Sequence, residues 1–86
     1  MGGKITPSLR RKLEENPQLR MRLILRVKGR PEDHEPLLSQ RGLSVRRRLS
    51  LLGALAIEGE AEKALTLLGE KWVLSLEEDR EIRALR

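Results

Sequence analysis

The stretch Trp72-Val-Leu-Ser-Leu-Glu-Glu-Asp-Arg-Glu-Ile-Arg-Ala-Leu-Arg86 changes character halfway along its length. Its first half alternates, with Trp72, Leu74 and Leu76 facing one side, which is typical of a half-buried strand. Three consecutive acids follow this strand. Beyond them, four of the seven residues 80–86 are charged and no helix-capping or turn residue occurs. We therefore predict a last strand that closes the domain, followed by an extended arm.

Three further strands are predicted upstream of this stretch. The clearest runs from Leu19 to Val27, where an apolar residue occupies every second position. A second run, Leu43 to Leu51, has one misfit, Arg47, and a β-bulge near Arg46 and Arg47 would restore its alternation. Residues 54–58 form a third run, paired with the second as a hairpin across Gly53. On the second run the predicted inward residues are Leu43, Val45, Leu49 and Leu51.

Helical signals separate these strands. The first helix begins with Thr6 as N-cap and Pro7 at its first position, and ends at Asn16-Pro17. The second follows the acidic residues 32–35 and stops at Gly42, and the third runs from Glu60 to Gly69. The apolar residues at helical spacing are Leu9 and Leu13 in the first helix, Leu37 and Leu38 in the second, and Ala61, Ala64, Leu65 and Leu68 in the third.

The order after the first helix is β-α-β-β-α-β, which predicts an α+β, ferredoxin-like domain. Two helices would cover one face of a four-stranded antiparallel sheet whose first and third strands are central. We divide the chain into an N-terminal helical extension (residues 1–18), the ferredoxin-like domain (19–79) and the C-terminal arm (80–86).

The amino-acid composition argues against several classes of function. The 86 residues carry a net charge of +5 and include no cysteine and one histidine, His34, so neither a cysteine metal site nor a two-histidine metal site can form. We also expect no histidine-based catalytic triad, because no serine has a partner base at a recognisable spacing. We expect no enzyme activity, no cofactor and no metal. No apolar run approaches the roughly 20 residues that span a bilayer, and no signal peptide is evident, so we expect a cytoplasmic protein without a membrane partner. Abundant Leu, Arg and Glu resemble thermophile usage.

The sheet face without helices is predicted to have a small apolar centre formed by Ile24, Ala54 and Ala56. A low centre inside a polar rim is typical of a protein-docking surface. The predicted rim consists of Ser44, Arg46, Arg48 and Ser50 on one flank, and Val73 and Ser75 on the other.

The acids at the end of the last strand add a polar contact to this face. Glu77 and Asp79 are two residues apart and therefore point to the same side of the strand. Carboxylates in this position can cap exposed helix N-termini on a partner, whose free N–H groups and positive dipole end attract them.

Two other functions use the same face. A basic ferredoxin-like domain can bind nucleic acid, but the aromatic side chains on which bases stack are missing, so nucleic-acid binding is the alternative and not the expectation. A general protein–protein or oligomerisation module is the other alternative, and the oligomeric state is not indicated.

Residues 19–85 resemble the propeptide, or inhibitor, domain of subtilisin-like serine proteases. The resemblance is strongest in Arg20-Met-Arg-Leu-Ile-Leu-Arg-Val-Lys-Gly29 and Trp72-Val-Leu-Ser-Leu-Glu-Glu-Asp79, and includes Gly42-Leu-Ser-Val45 and Leu51-Leu-Gly-Ala-Leu-Ala-Ile-Glu58. It implies a ferredoxin-like inhibitor that docks its open sheet face on two protease helices capped by Glu77 and Asp79, and that also assists protease folding.

The resemblance further implies that the arm lies in the protease cleft like a product. The cleft-binding residues would be Ile82, Arg83, Ala84 and Leu85, with Leu85 in the primary specificity pocket and Ile82 in a deeper apolar subsite. Arg86 lies one residue beyond the expected end. No protease domain follows and no signal precedes, so we expect a free-standing inhibitor, or an excised propeptide that would be extracellular.

Overall fold

A four-stranded antiparallel sheet carries its helices on one face in the computed structural model, which describes residues 3–79. The strand order is β2-β3-β1-β4, so the first and third strands are central, as predicted. The architecture is α+β and consistent with a ferredoxin-like fold. The elements are α1 (Pro7–Glu15), β1 (Arg20–Val27), α2 (Glu35–Gln40), β2 (Ser44–Leu49), β3 (Ala54–Glu60), α3 (Ala61–Leu65) and β4 (Val73–Glu78), with short 3-10 turns at Pro31–His34, Ser50–Leu52 and Thr66–Gly69.

Helix α1 begins and ends where the sequence predicts. The Thr6 hydroxyl accepts a hydrogen bond from the backbone N–H of Leu9 at 3.2 Å, which satisfies one of the free N–H groups of the first turn. Leu9 and Leu13 are buried in the same hydrophobic cluster as the sheet residues. This helix is therefore part of the core rather than an appendage to it.

The outer edge of β4 is covered by the N-terminal segment. The backbone N–H of Leu76 donates to the carbonyl oxygen of Lys4 at 2.8 Å. The Lys4 ammonium in turn donates to the carbonyl oxygen of Glu70 at 2.6 Å. Pairing of this kind uses strand-edge groups that would otherwise be free to bind another strand.

One continuous hydrophobic cluster fills the space between the sheet and the helices. Alternate residues of β1 and β3 point into it, as their period of two predicts. Burying each large apolar side chain contributes about 1.5–3 kcal/mol relative to its exposed state. The cluster consists of Leu9, Leu13, Met21, Leu23, Leu25, Val27, Leu38, Leu43, Leu55, Ile57, Ala61, Ala64, Leu67, Val73 and Leu76.

The bulge predicted in β2 is confirmed, and its effect on the residues that follow was underestimated. The register with β3 shifts between Val45 and Arg47. Leu49 consequently lies opposite Ala54, on the face away from the core, and the strand ends there. Leu51, predicted to face inward, is fully exposed in the following 3-10 turn.

The side-chain orientation predicted for the first residues of β4 was wrong. The register with β1 shifts between Arg26 and Val27, so Leu74 is an extra residue without a directly opposed partner. Val73 and Leu76 are both buried in the core, while Leu74 is exposed. Trp72 precedes the strand and packs only partly against the core.

The third helix is shorter than predicted. It ends at Leu65 and continues as the 3-10 turn Thr66–Gly69. A 3-10 turn places residues three apart on one side. Leu67, three residues after the buried Ala64, is therefore the core residue, whereas the predicted Leu68 is only partly buried.

Candidate functional site

The sheet face opposite the helices, called here the open face, contains the apolar centre predicted from the sequence. Ile24 on β1 lies directly opposite Ala56 on β3, and Ala54 lies two residues away on the same face. Ala54 and Ala56 have relative exposures of 0% and 1%, and Ile24 is half-buried. The centre is therefore low, and its larger neighbours determine most of the surface that a partner would meet.

Arginines surround this centre more closely than the sequence indicated. Arg22 and Arg26 flank Ile24 along β1, two residues away on either side, and both are exposed. Arg47 lies directly opposite Ala56 from β2. Arg47 was predicted as a misfit pointing inward, but the bulge turns it to the open face.

Arg48 was predicted on the rim of the open face and instead lies on the helix side. Its register partner is the core residue Leu55, and its Nε donates to the Glu35 carboxylate at 2.7 Å. This hydrogen bond raises the pKa of Arg48 above the ordinary arginine value, so the guanidinium stays charged. Of the predicted rim on the β4 flank, Ser75 lies on the open face opposite Arg26, whereas Val73 belongs to the core.

Glu58 is the acidic centre of one half of the open face. Its carboxylate accepts a hydrogen bond from Arg46 at 3.0 Å and lies 3.7 Å from the guanidinium of Arg20. On the other half, the Glu77 carboxylate lies 4.0 Å from Arg26. Such exposed pairs contribute at most about 1 kcal/mol each, so a docking partner can exchange them at little cost.

The two acids singled out in the sequence are on the same side of the sheet. Glu77 lies opposite Ile24, and its side chain is 57% exposed. Asp79 is held by its backbone N–H, which donates to the carbonyl oxygen of Arg22 at 2.9 Å. The acid between them, Glu78, points to the helix side, where its carboxylate pairs with Lys12 at 3.1 Å.

A depression of about 200 Å³ brings Asp79 together with arginines of the open face. Its floor is Ala56 at the centre of the sheet, and its opening lies on the open face. The depression brings charged residues of β1, β2 and the end of β4 together. Its lining residues are Arg22, Arg46, Arg47, Ala56 and Asp79.

The residues predicted to enter a protease cleft, Ile82, Arg83, Ala84 and Leu85, lie outside the described residues. In the chain they follow Asp79 after Arg80 and Glu81.

The His34 side chain makes a ring stack and a hydrogen bond within the fold. Its imidazole stacks on the Trp72 indole with ring centroids 4.2 Å apart. Its Nε2 lies 2.8 Å from the carbonyl oxygen of Lys28, which can only accept, so Nε2 carries a proton. Within residues 3–79, no group of three or more His, Asp or Glu side chains is placed to hold a metal ion.

The described helices are too short or too polar to cross a bilayer. No protein-family model matches this sequence, and no curated protein matches it either.

The centre and the acids of this face were predicted from the sequence, but Arg22 and Arg47 were not singled out. The bulge at Arg46 was the available signal for Arg47, because an extra residue reverses the side on which all later residues point. Arg22 was correctly placed away from the core, but nothing in its spacing distinguished it from the neighbouring arginines.

Proposed function

We propose that this protein binds and inhibits a subtilisin-like serine protease, with the open face docked on the protease and the arm in the substrate cleft. One observation carries the proposal. Glu77 and Asp79 lie on the open-face side of β4, beside the low Ile24–Ala56 centre, and the chain continues from Asp79 into residues 80–86. The polar anchors at the end of β4 thus lie beside the docking surface formed by β1 and β3, and the predicted arm follows these anchors in the chain.

The shape of the centre supports docking against helices. The alanines add almost no height to the sheet, so a partner's helices can approach the backbone closely. A low centre surrounded by exchangeable polar groups is typical of protein interfaces. The neighbouring Ile24 supplies an apolar contact at the middle of the face.

The spacing of the acids suits two neighbouring helix ends. Two residues along a strand separate Glu77 and Asp79 by about 7 Å, and packed helices lie about 8–10 Å apart. Each carboxylate can then accept hydrogen bonds from the free N–H groups of one helix N-terminus. This contact orients the sheet so that the arm leaves toward the cleft.

In this proposal the arm binds as a cleaved product does. Leu85 fills the primary pocket and Ile82 the deeper apolar subsite, with Arg83 and Ala84 between them. The bound arm excludes substrate, so inhibition is competitive. Binding only the folded protease would also favour its folded state, which is the basis of a folding-assistance role.

The test is a progress curve of a subtilisin-type protease cleaving a chromogenic peptide, with the full chain and with a variant lacking residues 82–86. The full chain should inhibit competitively, and the deletion should weaken inhibition by at least about a hundredfold because the cleft contacts are lost. Circular dichroism should show the same folded domain for both. Undiminished potency of the deletion variant would refute the arm, and digestion of the full chain without inhibition would refute the function.

A further inference from the structure

Two arginines of the open face have no carboxylate partner among residues 3–79. Arg22 lies opposite Glu58, but the Glu58 carboxylate already contacts Arg46 and Arg20. Arg47 lies opposite Ala56, which has no polar side chain to offer. The other open-face arginines, in contrast, each have a carboxylate within 4.0 Å.

Arg22 and Arg47 lie on opposite sides of the same depression. Both line the depression above Ala56, one from β1 and the other from β2. Asp79 also lines it, yet no ion pair within 4.0 Å joins its carboxylate to either arginine in the described part of the chain. Two arginines without a carboxylate partner among residues 3–79 thus line the same depression of the docking face.

Docking over this depression would remove water from both guanidinium groups. A buried charge without a partner costs several kcal/mol, whereas a carboxylate in bidentate contact restores the lost hydrogen bonds. A partner surface without acids opposite these arginines would therefore be rejected, and one with acids would be attracted from a distance.

We infer that the open face selects proteases whose docking surface carries carboxylates opposite Arg22 and Arg47. This inference rests on the proposed function and adds the charge of the partner to it.

To test this inference, the association rate constant is measured with a subtilisin-type protease that the wild type inhibits. The double variant Arg22→Glu/Arg47→Glu is compared with Arg11→Glu, which changes an exposed arginine of α1 on the opposite side of the molecule. The double variant should associate about a hundredfold more slowly at low salt, and Arg11→Glu should differ from wild type by less than about twofold. High salt should bring all three rates closer together.

A milder double variant controls for an effect of the glutamate substitutions on folding. Arg22→Gln/Arg47→Gln removes the charges without reversing them and should slow association about tenfold, with an unfolding midpoint close to that of the wild type.

The outcomes separate the inference from the proposed function. Tight inhibition by the wild type with equal rates for the double variant would overturn the inference alone. Absence of inhibition by the wild type would overturn both. A labelled single-stranded oligonucleotide, bound by the wild type at physiological salt and released by the double variant while inhibition is unaffected, would assign the arginines to phosphate binding instead.

Discussion

Gly59 on β3 lies so close to Leu43 that a Cβ atom at position 59 would be 2.5 Å from the Leu43 Cδ2 atom. The contact joins the start of the β2–β3 hairpin to the core, since Leu43 is buried. No side chain fits at Gly59 unless Leu43 moves.

Gly59→Ala should therefore destabilise the fold by about 1–3 kcal/mol, because the added methyl group overpacks the core. Gly69→Ala is the matched control, since a Cβ atom there meets nothing within 4 Å. It should be neutral or stabilise the protein by up to about 1 kcal/mol by restricting the unfolded chain. Urea unfolding of both variants measures the difference, and equal midpoints would contradict the packing described.

Leu13→Ala tests whether α1 is part of the core. Leu13 is completely buried in the cluster, so its truncation should cost about 2–5 kcal/mol. Leu51→Ala removes the same atoms from a fully exposed site and should change stability by less than about 0.5 kcal/mol. If Leu13→Ala unfolds at the same urea concentration as Leu51→Ala, α1 does not belong to the core.

His34→Ala tests the stack that ties the Pro31–His34 turn to the residue preceding β4. The rings are inclined by only 6°, and an aromatic pair contributes about 0.5–1.5 kcal/mol beyond its buried area. The variant should lose at least that much stability in thermal or urea unfolding, and should also lose the hydrogen bond to Lys28. Ser39→Ala, at an exposed position in the same connection, should have little effect. A loss no larger than that of Ser39→Ala would mean that the stack does not stabilise the fold.

Glu77→Gln and Asp79→Asn test the anchoring of the open face on a protease. A charge at a helix N-terminus contributes about 0.3–2 kcal/mol, so each variant should raise the inhibition constant by up to about thirtyfold. Glu62→Gln, an exposed acid at the start of α3, should leave the inhibition constant unchanged. Protein stability should change by less than about 1 kcal/mol for Glu77→Gln, since its pair with Arg26 is exposed. Equal inhibition constants for all three variants would argue against the acids as anchors.

The order and type of the elements were predictable because each depends on neighbours in the chain. Period-two runs predicted the four strands, and Thr6 and Pro7 predicted the start of α1. The β2 bulge was also predictable, because Arg47 broke an otherwise regular alternation. Local periodicity likewise placed Ile24, Ala54 and Ala56 together on one face.

Periods of two and 3.6 residues are enough to predict an α+β chain with two central strands, an apolar core face and two acids on one side of its last strand. Which residues face out after each irregularity depends on the folded sheet. An extra residue in β4 buries Val73 and exposes Leu74, and after the β2 bulge Arg48 lies on the helix side and Leu49 on the open face. A bulge shifts register against the partner strand, and pairing between distant strands is a property of the folded sheet that local periodicity does not contain.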